Sequence, residues 1–136
     1  MEHIKFRAWK HVNTPEMFND VQVIDFKSGI AHLGYSLSSF TERTDKERLD
    51  NLILMQYTGL KDKNGVEIYE GDIVENASKD LKFQVVYEAP SFNRKWIDDI
   101  SKRYREHLTE SLAWNTYMIC EVIGNIYENP ELLEDK

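Results

Sequence analysis

The chain has a single cysteine, Cys120, so no disulfide can form within it. It also lacks long apolar runs. The longest, around Leu52 to Met55, is far too short to cross a bilayer. The opening residues MEHIKFRAWK hold no apolar stretch of the length a secretion signal needs, so a cytoplasmic location is expected. Basic charge is in the minority. With 17 Lys and Arg against 24 Asp and Glu, the formal net charge is −7, which repels a phosphate backbone at long range and argues against general nucleic-acid binding. No phosphate-cradling G-x-x-x-x-G-K-[ST] or dinucleotide-binding G-x-G-x-x-G occurs. The four histidines, His3, His11, His32 and His107, show no ligand spacing, and Cys120 has no C-x-x-C companion. No metal or other cofactor is therefore expected. What remains is a globular composition, 41% hydrophobic and 30% charged, in 136 residues. That length suffices for one real core.

Most of the patterning has period two, the mark of a half-buried strand. Ile4, Phe6 and Ala8 alternate with Lys5, Arg7 and Trp9. Val21 to Phe26 alternates likewise, Lys27-Ser28-Gly29 supplies a turn, and Ile30 to Tyr35 is expected to return as the hairpin partner. Ile53, Met55 and Tyr57 start another strand. The stretch Tyr57 to Val74, YTGLKDKNGVEIYEGDIV, alternates turn signals with short strands. Within it Asp62-Lys63-Asn64-Gly65 is a strong turn, because Asn and Gly tolerate positive φ. Glu70-Gly71-Asp72 turns the chain again before Ile73. Leu81 to Tyr87 and Tyr117 to Val122 read as strands, Gly124-Asn125 as a turn or bulge, and Asn129-Pro130 as a break.

Two segments read as helices. Thr44-Asp45-Lys46-Glu47 fits the capping box and predicts a short helix from Asp45 to about Asn51. From Asn93 to Leu112, the residues Trp96, Ile100, Tyr104, Leu108 and Leu112 step by four, which predicts an amphipathic helix.

Several groups carry chemistry on paper. Glu67, Glu70 and Asp72 lie close together and suit acid–base or metal work, yet Glu70-Gly71-Asp72 is also what an exposed turn looks like, and the turn is expected. Cys120 falls in an apolar strand, where a buried, inert thiol is the common outcome. Lys102, Arg103 and Arg105, together with Arg94 and Lys95, interleave with Trp96 and Tyr104 as a candidate basic patch. Asp98, Asp99, Glu106 and Glu110 nearly neutralise it, so a solvated charged face is expected. The stripe of Trp96, Ile100, Tyr104 and Leu108 is a candidate interface, packing either on its own subunit or on a neighbour.

Three blocks, IKFRAW near the start, MQYTGLKDKNGVEIYEGDIV in the middle and EVIGNIYENPELL at the end, together resemble the YopX family of phage and prophage proteins of Gram-positive bacteria. The resemblance implies a mainly β fold: an N-terminal β-rich lobe over residues 1–58, then an SH3-like small barrel over residues 59–136 with the helix at 93–112 inserted in it. It further suggests homo-oligomers, and it implies no catalytic residue. The expected function is a non-enzymatic protein-binding or assembly module. A nucleic-acid-associated accessory using the basic patch is the second reading, and an enzyme using the carboxylates of residues 67–72 the third.

Overall fold

The computed structural model describes residues 4–38, 41–76, 82–88, 91–97, 109–111 and 120–134. They form β-strands joined by turns, with two single turns of 3-10 helix. The strands are β1 (Phe6–Lys10), β2 (Glu16–Phe18), β3 (Asp20–Asp25), β4 (Ile30–Ser38), β5 (Thr41–Arg48) and β6 (Leu52–Lys61). They continue as β7 (Glu67–Tyr69), β8 (Asp72–Asn76), β9 (Lys82–Glu88), β10 (Ser91–Trp96), β11 (Thr109–Ser111) and β12 (Cys120–Asn125). The chain divides into two compact units, one through Gln56 and one from Tyr57, so the division falls inside β6.

In the first unit, β1 pairs antiparallel with β2 on one side and with the first half of β6 on the other. A separate meander has the order β3-β4-β5. The expected hairpin of residues 21–35 is present, with Gly29 at φ +73° in the turn and Asp25 Oδ1 accepting the Lys27 and Ser28 amides at 3.0 and 3.2 Å. Alternation explains the core. Ala8, Phe18, Ala31, Leu33 and Leu52 are buried together, although Arg7 beside Ala8 is buried as well.

The expected helix at 45–51 is not formed. Residues 41–48 are β5, paired with β4 from Ile30↔Arg48 to Ser38↔Thr41, and only Leu49–Asn51 make a 3-10 turn. Thr44 does not cap; its hydroxyl donates to Gln22 Oε1 at 3.4 Å. Glu47 accepts from Asn51 Nδ2 at 2.8 Å and lies 3.3 Å from Lys10 Nζ. A capping box stabilises one helical turn by local bonds, whereas pairing with β4 supplies ladder bonds along the whole segment, and the ladder prevails.

In the second unit, β7 pairs with the second half of β6, and a five-stranded sheet runs in the order β11-β10-β9-β8-β12. Ile68, Val74, Phe83, Val85 and Cys120 are buried together, and Leu60, Phe92 and Val122 pack against them. These eight residues come from β6, β7, β8, β9, β10 and β12. The expected helix at 93–112 is corrected at both ends. Residues 91–96 are β10, paired with β9 from Ser91↔Glu88 to Trp96↔Phe83, and 109–111 are β11, paired with β10. The reason lies in the pattern itself: a step of four residues is also an even step, so it fits one face of a strand as well as a helix. Of the stripe only Trp96 lies in a described strand, and there the pairing with β9 decides the conformation. Residues 98–108 and 112 lie outside the described ones. Among the described residues no helix is long and apolar enough to cross a membrane.

Candidate functional site

The family-like central and C-terminal blocks meet in the second unit around Asp62. Its side chain is 4% exposed although it sits in a turn. Oδ1 accepts the Asn64 amide at 2.8 Å and the Val66 amide at 2.9 Å, which closes the turn in the manner expected of Asp before Asn-Gly. Gly65 holds φ +82°, the left-handed value such a turn requires. Oδ2 reaches across to β12 and accepts the Val122 amide at 2.9 Å, sixty residues away in sequence. Beside it the Lys63 amide donates to the Cys120 carbonyl at 3.1 Å. Over the top, Lys63 Nζ and Asn64 Nδ2 each approach Glu121 Oε2 at 3.4 Å.

The neighbouring turns are built the same way. Thr58 donates to the Ile68 carbonyl at 2.7 Å and accepts the Leu60 amide at 3.1 Å, bracing the irregular pairing between Tyr57 and Lys61, with Gly59 at φ +87°. Asp72 is buried, and its Oδ2 accepts the Tyr69 amide at 2.8 Å. Gly71 donates to the Val85 carbonyl, and its own carbonyl accepts the Ile126 amide at 3.0 Å. At the end of β12, Asn125 is 6% exposed; its Oδ1 accepts the Tyr127 and Glu128 amides at 3.0 and 2.8 Å, and its Nδ2 donates to Glu128 Oε1 at 2.9 Å. A bulge between Val122 and Gly124 matches the turn or bulge expected at Gly124-Asn125.

The candidate carboxylates are thus placed differently from one another. Glu67 and Glu70 are half-buried, Asp72 is buried, and its carboxylate serves a backbone amide. Among the described residues no group of three or more His, Cys, Asp or Glu is arranged to hold a metal ion. Cys120 is fully buried within the apolar core. His11 is exposed, with Nε2 donating to the Asp50 carbonyl at 3.1 Å, and His32 lies half-buried on β4. Trp96 is in β10, at the register position opposite Phe83. Ile100, Tyr104 and Leu108, the basic residues Lys102, Arg103 and Arg105, and the histidines His3 and His107 lie outside the described residues.

Two residues matter more than their sequence context indicates. The DKNG signal predicts the turn at Asp62, but nothing local predicts a bond to Val122. Asn125 reads as part of a turn, and its burial follows from a tertiary setting that spacing does not encode.

Comparison with known proteins agrees with this organisation. A family model described as YopX protein matches residues 5–134. The chain is 36% identical over 70 residues to the SPbeta prophage-derived uncharacterized protein YopX of Bacillus subtilis strain 168. That match takes in 52% of each chain, so it spans about half the length of this curated relative. The crystal structure of protein EF1440 from Enterococcus faecalis is similar with a TM-score of 0.67 at 30% identity, covering 98% of this chain and 100% of that one. The crystal structure of yopX from Bacillus subtilis matches with a TM-score of 0.57 at 26% identity, over 98% and 100% of the two chains. With nearly its whole length matched, the chain belongs to the YopX protein family.

Proposed function

We propose that the protein is a phage-type binding or assembly module, acting through protein–protein contacts in the host cytoplasm and not by catalysis. The observation that carries this reading is the use made of the buried carboxylates. Catalytic acids need a carboxylate directed at substrate with a tuned environment. Here Asp62 is directed at three backbone amides and Asp72 at one, so these two buried acids serve the backbone. The chemistry of this block is that of a rigid scaffold, and scaffolds of this kind present surfaces.

The second unit, on this reading, closes as a small SH3-like barrel. Its core draws on six strands, and the turn at Asp62 joins the end strand β12 to the segment between β6 and β7, which supports closure. The proposed assembly is a homo-oligomer with Trp96, Ile100, Tyr104 and Leu108 at or near the interface. Light scattering of the purified protein at tens of micromolar is the test. A mass well above 16.1 kDa is expected, falling toward that value in Trp96→Ala, and a monomeric wild type contradicts the assembly reading.

A further inference from the structure

We infer that the turn over residues 62–65 is a displaceable clasp guarding the outer edge of β12, and that the edge it releases pairs with β12 of a second copy. The inference does not rest on the interface proposed above, because Asp62 and Val122 lie outside residues 96–108.

Among the described residues β12 ends the sheet β11-β10-β9-β8-β12, with β8 as its one strand neighbour. Alternate residues of a strand direct their N–H and C=O groups to opposite edges. The Val122 amide and the Cys120 carbonyl have the same parity, and both bond to the turn, so both belong to the edge away from β8. An end strand normally displays such groups to solvent and invites another strand. Here two of them are occupied by one carboxylate oxygen and one backbone amide of a turn. The cover is short and polar. Its outer layer, Lys63 and Asn64 over Glu121, consists of contacts at 3.4 Å between half-exposed groups. A few such bonds hold the turn in place, while the strand beneath is fixed by its ladder to β8.

A second copy is the occupant that fits. Antiparallel pairing centred on Val122 joins the Val122 N–H and C=O of each copy to those of the other, a self-complementary contact with two-fold symmetry. In that register Glu121 lies opposite Ile123, so no like charges face one another. A shift of two residues, which keeps the same edge groups paired, would in one direction place Glu121 opposite the Glu121 of the other copy, so like-charge repulsion disfavours that register.

Asp62→Asn separates the clasp from the turn. The amide oxygen still accepts from Asn64 and Val66, while its NH2 group meets the Val122 N–H donor to donor. The expected result is hydrogen exchange at Val122 about tenfold faster than wild type in dilute solution, with the Asn64 and Val66 amides still protected. In concentrated solution the Val122 protection returns, and light scattering shows a mass higher than wild type at the same concentration. Unchanged exchange at Val122 overturns the clasp. Fast exchange at every concentration with a wild-type mass overturns the pairing. Should circular dichroism show Asp62→Asn unfolded, Gly65→Ala takes its place, read at the Val122 amide and by light scattering. Gly65 has φ +82° with nothing within 4 Å of an added Cβ, so that change strains the turn alone. A monomeric wild type would count against the assembly reading and leave this test intact.

Discussion

The two units use polar side chains in opposite ways. In the first, through Gln56, the turns make their polar contacts at the surface, with Asp25 on its exposed turn, Arg48 on Asp50 at 3.3 Å and Thr44 on Gln22, and the buried charged side chain, Arg7, sits on a strand. Its order comes from strand ladders over a core of Ala8, Phe18, Ala31, Leu33 and Leu52. In the second unit the turns reach inward. Asp62, Asp72 and Asn125 are each under 7% exposed and each accept backbone amides. Burying a polar group costs free energy that its hydrogen bonds offset, and removing an acceptor strands the donor it served. The turns of the first unit therefore connect strands, whereas those of the second are part of its interior.

This contrast is tested most severely in the core. Ile68 is fully buried, and truncation at such a site removes packing and leaves a cavity. Ile68→Ala is expected to cost roughly 3 kcal/mol, read from the denaturant midpoint. Exchange should rise at β7, β8 and β9, with much smaller changes at β3, β4 and β5. Equal loosening throughout would show that the units unfold as one and would break the comparison. Next in size is Gly124→Ala. An added Cβ there would lie 2.6 Å from Asn129 Oδ1 and 2.9 Å from Leu132 Cδ1. Asn129 Oδ1 accepts the Asn125 amide, so the methyl group displaces a bonded acceptor at the end of β12. A loss of roughly 2 kcal/mol is expected, as for overpacking elsewhere. A change below about 0.5 kcal/mol, the range of ordinary surface substitutions, would mean that this turn is as forgiving as those of the first unit.

The difference between the units also explains which parts of the fold were legible. Hairpin 21–35 and the turn at 62–65 follow from local rules, since alternation and Asn-Gly or Ser-Gly pairs act over a few residues. Residues 45–51 misled because a capping box is local evidence, and the deciding contact, β4, lies outside the segment. Residues 93–96 misled because they hold only Trp96 of the four-residue stripe, too little to fix a period, and pairing with β9 decided for a strand. Strand β2 gave no signal: three residues are too few for a period to show. At the candidate site, spacing exposed the carboxylates of residues 67–72 but not their employment. Whether Asp72 meets substrate or the Tyr69 amide depends on where Tyr69 folds, and no motif states that.

The smallest effect is expected at Glu47, the most buried ionic contact described in the first unit. Its carboxylate accepts from Asn51 Nδ2 and lies beside Lys10 Nζ, and both hold its pKa below the usual carboxylate value near 4.5, with the Asn51 bond contributing most. A carboxylate depressed in the folded state binds protons more readily when unfolded. Its contribution to stability is therefore fully present above about pH 4.5 and is lost as pH falls through the folded value. Glu47→Gln keeps an acceptor for Asn51 but loses the charge facing Lys10. The variant is expected to be less stable at neutral pH by under about 1 kcal/mol, the usual range for a pair near the surface. The gap to wild type should narrow below pH 4.5, as measured by denaturant titration across pH 3 to 7. A gap that stays constant with pH would show that Glu47 acts through shape alone. A gap comparable to that of Gly124→Ala would mean that the first unit, too, relies on a buried polar connector, and the contrast between the units would fail.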